Sequence, residues 1–503
     1  MASKGSPTMV VGFAALALAA GPSWAGGQYA GDNGSLAAQR AGAFTARADD
    51  PTALYYNPAA LFRIGDHRQV FLGVNLVSFD QSFQRDGSYR HDTNGDDPTY
   101  AGDPYPTVHN DGPVQPVPFV AAAFTTGKLA LAIGVFAPHG YGTRNYPDSV
   151  RTVSGAQAPA PQRYDIISQQ GVIALPSAGF AYPIKDGVTV GARASYGFAH
   201  LQTRRFAQGL ANRAELSDRD TDATIDVSDN KIITWGAGIH VHTSPGWELG
   251  ASYSAPIEIH ARGTADVELG DLLRNIMPGQ ETQIVPVPDA MAQCAPGGAV
   301  GAIKTCLDMA LPQTAQAGLR WINRDDGGRE LGDLEIDVRW ENWSAVDKIV
   351  AVMDGQNSTV AQPVNPSDVR HGFEDVYSAR LGGSRVFGDQ RQYMASFGLG
   401  YESAAAPTSW TRLDVDTAPR FSASGGLSVD VGSFRVDAGV AIVDPADRHV
   451  YDTPVDQTNA TARVQPDVPV PLQPADAQPY HPFNAGSYAT RYLIASFGLT
   501  ATW

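Results

Sequence analysis

Residues 433–443 read SFRVDAGVAIV, and their side chains alternate in character with a period of two residues. The even positions from Phe434 to Ile442 are all apolar, whereas the odd positions include Arg435 and Asp437. Alternation of this kind places apolar side chains on one face of a β-strand and polar side chains on the other. The stretch 334–341, LEIDVRWE, repeats the pattern, and so do residues 420–431. The sequence therefore predicts an all-β fold whose strands have one apolar face and one polar face.

The connections between these strands alternate in length. We count about fourteen strands after residue 67; short turns lie at 125–128, 183–187, 244–246, 325–329, 388–390 and 431–433. Long loops lie at 85–114, 143–163, 209–222, 264–310, 353–370, 406–416 and 451–485. An even number of strands with turns at one rim and loops at the other is typical of an outer-membrane barrel whose turns are periplasmic. We therefore expect a transmembrane antiparallel up-and-down β-barrel over residues 67–503, ending in a strand with the terminal aromatic residue Trp503.

The first 25 residues predict export. Lys4 precedes an apolar run at 9–20, and Ser23-Trp24-Ala25 has the small-x-small form of a cleavage site. The run of about a dozen residues is too short to span a bilayer as a helix. We predict a signal peptide at 1–25, a bacterial outer-membrane location, and a separate N-terminal segment at 26–66.

That segment contains AGAFTARADDPTALYYNPAAL at residues 41–61, which is too short for a domain and too apolar for a free tail. Asn57-Pro58-Ala59 predicts a turn, because asparagine caps the local backbone and proline fixes φ. We interpret the segment as a hatch that plugs the barrel lumen, with Arg40 and Arg47 as contacts to the wall.

Composition and motifs exclude several classes of protein. The net charge of −16 disfavours nucleic acid as a partner and is compatible with acidic loops bridged to lipopolysaccharide by divalent cations. No lipase, zinc-protease, Walker or dinucleotide motif is present, so we expect neither enzymatic activity nor a cofactor. His240 and His242 share one strand face without a third ligand, which favours contact with the hatch over a metal site.

The longest loop, 264–310, holds both cysteines of the chain. In an exported protein, Cys294 and Cys306 predict a local disulfide. Short helices are expected on either side of it, at 269–276 and 299–309.

Several stretches together carry a resemblance to a known family. They are Gly42-Ala43-Phe44, Ala48-Asp49-Asp50, Tyr56-Asn57-Pro58-Ala59, Leu311-Pro312, 340–344 (WENWS) and 371–382 (HGFEDVYSARLG). In this order and spacing, the mature chain resembles the FadL/TodX family of outer-membrane channels for long-chain fatty acids and other hydrophobic molecules. The resemblance implies a monomeric barrel with Phe44, Asn57, Pro58 and Ala59 as hatch and gating residues.

The resemblance further implies passive uptake, with ligand captured among the extracellular loops and released laterally where the third strand is kinked. The matching residues here are Pro138, His139 and Gly140, since proline lacks the N–H that a sheet needs and glycine tolerates a bend. The alternative is that Pro138 merely ends the strand at its loop.

A channel for amphiphiles needs positive groups that meet a carboxylate. The lumen-facing register offers Arg339, Arg380, Arg420 and Arg435 as candidates. The alternative for each is an ion pair in a polar lumen network, with partners among Glu335, Asp337, Asp375 and Asp430. For the whole chain, the competing functions are a general porin, an outer-membrane lipid hydrolase and a secreted soluble β protein.

Overall fold

The computed structural model describes residues 32–92, 97–138, 143–208, 216–243, 246–275, 281–294, 302–451, 469–472 and 482–503. The predicted signal peptide lies outside these residues, as do His139 and Gly140. Within the ranges described, no helix is both long enough and apolar enough to cross a membrane.

Fourteen strands of the described chain form one closed antiparallel barrel, as the alternation of turns and loops predicts. They are β1 (Arg68–Arg85), β2 (Gln115–Thr126), β3 (Leu129–Phe136), β4 (Ser168–Lys185), β5 (Val188–Gln208), β6 (Asp220–Thr243), β7 (Trp247–Ser254 and Ile257–Leu269), β8 (Ile303–Leu311 and Thr314–Arg324), β9 (Glu330–Glu341 and Lys348–Met353), β10 (Val376–Phe387), β11 (Tyr393–Glu402), β12 (Arg420–Val431), β13 (Phe434–Pro445) and β14 (Gly486–Thr502). The barrel closes where β1 pairs with β14, from Gln69 opposite Thr502 to Arg85 opposite Gly486.

The remaining elements are short. The α-helices are α1 (Ser35–Gln39), α2 (Ala53–Tyr56) and α3 (Asp271–Arg274), and the 3-10 turns are Pro58–Ile64, Ser217–Arg219, Asp289–Met291, Trp343–Val346, Thr408–Trp410 and Val470–Leu472. The short strands are Val108–His109, Arg144–Asn145, Ser149–Arg151, Gln157–Pro159, Ile284–Pro286, Gly355–Asn357, Ser367–Arg370 and Arg448–Val450. Most of them extend or cover the long-loop rim of the barrel.

The two faces of each strand differ as the alternation requires. On β9, Ile336 and Val338 are 54% and 55% exposed on the outer surface, whereas the intervening Asp337 is buried. Outward apolar and inward polar side chains suit a wall with lipid outside and a polar lumen inside.

Strands β7 and β8 are each interrupted beside a proline. The breaks fall at residues 255–256 and 312–313, which contain Pro256 and Pro312. Proline cannot donate the backbone hydrogen bond that a continuous ladder requires. The two halves of β7 therefore pair separately with the two halves of β8.

The expectation of a helix at 299–309 is wrong. Ile303–Leu311 is instead a strand that pairs with Ile257–Leu269 on one side and with Lys348–Met353 on the other. Two neighbouring ladders satisfy more backbone groups here than a short isolated helix, which is marginal without packing. Helix α3 does fall within the expected range 269–276.

A disulfide joins Cys294 in the loop to Cys306 in the strand Ile303–Leu311.

The third strand is interrupted above Phe136. Pairing of β3 with β4 ends where Phe136 lies opposite Leu175, and it resumes where Arg144 lies opposite Gln169. Between these points Ala137 bonds into the lumen: its N–H donates to Asn33 Oδ1 (3.1 Å) and its carbonyl accepts from Asn33 Nδ2 (2.7 Å). Ala137 thus bonds to Asn33 directly before Pro138, the one residue of the predicted window that the described ranges include.

Candidate functional site

Residues 32–66, here called the inner segment, lie within the ring of strands. Helix α1 packs against β12, β13 and β14, while the 3-10 turn Pro58–Ile64 packs against β4, β5 and β6. Contacts on opposite sides of the wall require that the segment occupies the lumen. The segment is almost entirely buried, and Phe44, Leu54 and Leu61 are fully covered.

Asn57 connects three parts of the molecule. Its Oδ1 accepts from the N–H of Ala59 (3.2 Å), which caps the 3-10 turn, and Pro58 occupies the first turn position, where no N–H is needed. Its Nδ2 donates to the carbonyls of Thr45 (3.0 Å) and of Ile239 in β6 (3.1 Å). One side chain thus holds the turn, the segment and the wall together.

Acidic residues on the inner face of β9 bind the segment. Asp333 accepts from Arg40 Nη2 (2.9 Å) and Arg47 Nη1 (2.7 Å), as expected of two arginines that contact the wall. Glu335 accepts from the N–H of Ala46 (2.7 Å). These charge-assisted bonds are buried and mutually satisfied, which fixes the segment on one side of the barrel.

Asp337 extends this acidic row. Its Oδ2 accepts from the N–H groups of Phe44 and Thr45 (2.9 Å each). Phe44 also packs edge-to-face on Tyr56, with ring centroids 5.5 Å apart. The predicted hatch residue Phe44 is therefore fixed both by the hydrogen bond from its backbone N–H to Asp337 and by the contact of its ring with Tyr56.

Glycines on the inner wall let the segment approach closely. A Cβ at Gly398 would lie 2.1 Å from the carbonyl carbon of Arg40, and one at Gly191 would lie 2.5 Å from the backbone of Pro58. Both are backbone contacts that cannot yield by a rotamer change. Only glycine fits at these two positions.

The predicted contact between the strand histidines and the inner segment holds for His240. Its Nε2 lies 3.1 Å from the carbonyl of Ala46, whereas His242 faces Glu248 at 3.3 Å. No group of three or more potential metal ligands occurs in the described part of the chain.

The four lumen arginines of the prediction lie on the inner face, and each forms at least one ion pair. Arg339 pairs with Glu341 (2.9 Å), and Arg435 pairs with Asp437 (3.3 Å) and with Asp50 (3.5 Å). Arg380 lies near Asp32 and Glu402, and Arg420 pairs with Glu402. The carboxylates differ from those expected; Asp375, for example, instead accepts from Trp340 and Ser344.

A small cavity of about 40 Å³ lies beside the interrupted strand. Pro138 lines it together with Tyr55 of the inner segment and Arg193 of β5. Arg193 lies over the Tyr55 ring at 5.0 Å and donates from Nη2 to Ser254 (2.8 Å), while its buried Nη1 has no partner. Larger recesses of about 600 and 610 Å³ lie on the outer wall and at the short-turn rim. Among the described residues, the cavity beside Pro138 is thus far smaller than the two recesses outside it.

Arg144, just beyond the strand interruption, is only 1% exposed. None of its three guanidinium nitrogens has a hydrogen-bond partner. Its guanidinium lies 5.1 Å from the ring centroid of Phe79. A desolvated cation–π contact contributes about 2 kcal/mol or somewhat more, whereas burying an unpaired charge costs several kcal/mol. Arg144 is therefore a buried cation without a hydrogen bond, although its charge acts on the nearby carboxylate of Asp414.

Three long loops, those that precede β4, β10 and β12, contact one another. Arg412 Nη2 binds Asp165 (2.8 Å), and His371 Nε2 lies 2.9 Å from Asp414. Burial by itself would raise the pKa of Asp414, but Arg412 and His371, together with Arg144, hold that pKa well below its usual range. These contacts join the long loops to one another.

The sequence reasoning missed Arg144 and Arg193. Arg193 carried a usable signal, because it is the one charged residue in the small and apolar stretch 188–199 of a predicted strand. Arg144 carried none, since its burial depends on residues distant in the sequence, such as Phe79.

Comparison with known proteins identifies the fold and the family. The model of the family described as outer membrane protein transport protein (OMPP1/FadL/TodX) matches residues 16–470. A search of the curated proteins found no match.

Solved structures share the barrel at low sequence identity. A Pseudomonas aeruginosa FadL homologue is 14% identical, with a TM-score of 0.68 over 93% of this chain and 98% of that one. The Pseudomonas putida toluene transporter TodX is 13% identical, with a TM-score of 0.60 over 94% and 98%. The Ralstonia pickettii toluene transporter TbuX is 15% identical, with a TM-score of 0.58 over 93% and 97%.

The family model covers most of the chain, and members of this family are outer-membrane transport channels for hydrophobic compounds, not enzymes. The chain therefore belongs to the OMPP1/FadL/TodX family of outer membrane transport proteins.

Proposed function

We propose that this protein mediates passive uptake of long-chain fatty acids or similar hydrophobic molecules across the outer membrane. The ligand enters among the long loops and leaves laterally beside Pro138, past the inner segment, which acts as the hatch. The observation that supports this most directly is the pair of bonds between Asn33 and Ala137. It links the hatch to the interruption of the third strand, so that movement of one changes the other.

The solvent explains why such a route is useful. Apolar molecules cross a lipopolysaccharide layer poorly, and a water-filled pore offers them no favourable environment. A filled lumen with an exit in the wall would deliver them to the membrane without exposure to water. The hatch must then move, because the cavity beside Pro138 holds only about 40 Å³.

A reversible cross-link tests whether the hatch must move. A Cβ at Gly400 would lie 3.8 Å from Cβ of Ala41, a distance that suits a disulfide. In the double variant Ala41→Cys/Gly400→Cys, we expect oxidation to reduce oleate uptake by more than about tenfold, and reduction to restore it. Uptake is measured in cells that lack other fatty-acid channels.

The wild type and each single cysteine variant, with and without reductant, control for effects on the native disulfide between Cys294 and Cys306. Full uptake by the cross-linked protein would show that the hatch does not gate the route.

Native mass spectrometry of protein purified without added lipid tests which ligand the protein binds. A bound fatty acid or hydrocarbon supports the proposal, whereas empty protein that also fails to bind oleate contradicts it.

A further inference from the structure

We propose that the recess of about 610 Å³ at the short-turn rim, here called the rim recess, binds a phosphate group, and that the bound group holds the inner segment against the barrel wall. The ligand is a free phosphate or the head group of an anionic phospholipid, since both present the same chemistry. The rim recess shares no lining residue with the cavity beside Pro138. The inference therefore does not depend on the proposed transport function.

The rim recess is positively charged in an acidic protein. Its cations come from four parts of the chain: Arg63 of the inner segment, Lys128 of the turn between β2 and β3, Lys185 at the end of β4, and Arg324 at the end of β8. Only two carboxylates line the recess, so it has an excess of two positive charges, whereas the whole chain has a net charge of −16. A cleft lined by charges of one sign concentrates ions of the opposite sign. The rim recess therefore favours an anion.

The two lysines of the rim recess are available to a ligand. Glu248, one of the two carboxylates, is buried and already accepts from Arg320 Nη1 (2.9 Å) and from Arg63. Lys128 and Lys185, in contrast, are exposed and have no ion pair among the described residues. Lysine is a common phosphate ligand, and the tetrahedral oxygens of a phosphate accept from donors in several directions. Donors that converge from different strands thus match a phosphate better than a planar carboxylate.

The rim recess also spans the contact between the inner segment and the wall. Phe62 and Arg63 belong to the inner segment, whereas the two lysines and Arg324 belong to the wall. The turn between β4 and β5 is held against β6, because the N–H of His242 donates to the carbonyl of Gly187 (2.7 Å). A ligand that binds both sides of a contact stabilises the state in which the two sides are together. A phosphate in the rim recess should therefore oppose movement of the inner segment.

Two tryptophans place the rim recess at the level of lipid head groups. Trp247 lies opposite Trp321 in the ladder between β7 and β8, and both side chains are almost half exposed on the outer face. Aromatic residues form girdles at the interfaces between a barrel and the bilayer. Glu248 directly follows Trp247, and Arg324 lies three residues after Trp321. The recess is thus at the depth where the phosphates of the adjacent leaflet lie.

Hydrogen exchange over residues 32–66 tests the site, because a bound phosphate suppresses the opening of the inner segment. The full protein is measured in detergent with increasing inorganic phosphate, at an ionic strength kept constant with sodium chloride. It is also measured in phosphatidylcholine vesicles with and without phosphatidylglycerol. We expect the exchange rate to fall by the factor 1 + [ligand]/Kd, which is about threefold when the phosphate concentration is about twice Kd.

The two arms distinguish the sources of the phosphate group. Slowing by inorganic phosphate alone identifies a free phosphate, and slowing by phosphatidylglycerol alone identifies a lipid head group. Slowing by both means that the site accepts either. Unchanged exchange in both arms overturns the proposal.

The double variant Lys128→Gln/Lys185→Gln tests the location of the site. We expect it to reduce the slowing to less than about 1.5-fold, because two charge-assisted bonds are lost. Lys231→Gln/Lys348→Gln is the matched control, since it removes two exposed lysines outside the recess and changes the net charge equally. Slowing that persists in the first variant, or that is lost equally in both, contradicts the assignment.

Correct folding is checked by the heat-dependent shift of the barrel on a gel. Arg324→Gln is the second variant should the double variant not fold, since it removes one exposed cation of the recess at a strand end. We expect it to weaken phosphate binding by at least about twofold. Full slowing at the same phosphate concentration in Arg324→Gln would reject the rim recess as the site.

Discussion

At the scale of single residues, Asn57 shows how a short motif can carry tertiary information. The turn at Asn57-Pro58-Ala59 follows from local chemistry and is present, with the asparagine as cap. Its bond to Ile239, 182 residues away, does not follow from local chemistry. The motif could be recognised from sequence, but the wall residue that it contacts could not.

Replacing Asn57 with alanine should weaken the attachment of the inner segment to the wall. The substitution leaves the buried carbonyl of Thr45 and the N–H of Ala59 without their partner, which costs about 1–3 kcal/mol. We expect the free energy of unfolding in detergent to fall by this amount. The exposed Asn275, which donates only to Asp271, is the control, and Asn275→Ala should change stability by less than about 0.5 kcal/mol. Equal effects in both variants would argue against this role of Asn57.

Titration of Asp50 should make the free energy of unfolding depend on pH. Burial raises its pKa to about 6, although Arg435 and a bond from Thr52 act in the opposite direction. The unfolded value is 3.8, so the folded state binds the proton more tightly. Its stabilising contribution is therefore full below about pH 4 and is lost as the pH rises through about 6.

We expect the wild type to gain up to about 3 kcal/mol relative to Asp50→Asn when the pH is lowered from 8 to 4. The measurement is thermal or denaturant unfolding of both proteins across this range. Because other carboxylates titrate identically in both, the difference isolates Asp50. Parallel pH profiles would show that Asp50 titrates normally.

At the scale of elements, alternation of side chains located the strands, while their breaks and extensions depended on neighbours. Ile303–Leu311 was expected to be helical and is a strand, because ladders on both sides satisfy its backbone. Conversely, the end of β3 before Pro138 agrees with the chemistry of proline. Predictions from local sequence were correct where a residue such as proline restricts its own backbone. They failed where pairing with neighbouring strands determines the secondary structure.

The fit between the inner segment and the wall can be tested at Gly398. A Cβ there would lie 2.1 Å from the backbone of Arg40, so Gly398→Ala must displace one of the two. We expect a loss of about 1–3 kcal/mol and faster hydrogen exchange over residues 32–66. Gly425→Ala is the matched control, since its nearest atom would be 3.5 Å away. Unchanged exchange in Gly398→Ala would mean that the inner segment does not contact the wall at this position.

At the scale of the whole molecule, the exposed apolar surface surrounds the barrel and defines its relation to lipid. Ile336 is 54% exposed in the middle of β9, and Val431 is 62% exposed at a short turn. Both are apolar side chains on the outer face, but they differ in depth. A barrel in a bilayer should respond to charge at the first position far more than at the second.

We expect Ile336→Lys to lower the free energy of unfolding in lipid vesicles by about 2–4 kcal/mol, and Val431→Lys by about 0–1 kcal/mol. The physical cause is desolvation of the ammonium group near the bilayer centre. Denaturant unfolding of the refolded variants measures both values. Equal effects would mean that the two positions lie at equal depth in the bilayer, contrary to the expectation that Ile336 lies deeper than Val431.

The sequence by itself determined the barrel, its strand number, the long-loop rim and the existence of an apolar segment before the first strand. These properties follow from a period of two, from turn residues and from hydrophobicity, which act over a few residues. Only the tertiary structure decided which carboxylates pair with the lumen arginines, where the inner segment contacts the wall, and that Arg144 has no hydrogen bond within the described ranges. Such properties depend on which distant side chains share a buried volume, and closure of the barrel brings together residues hundreds of positions apart.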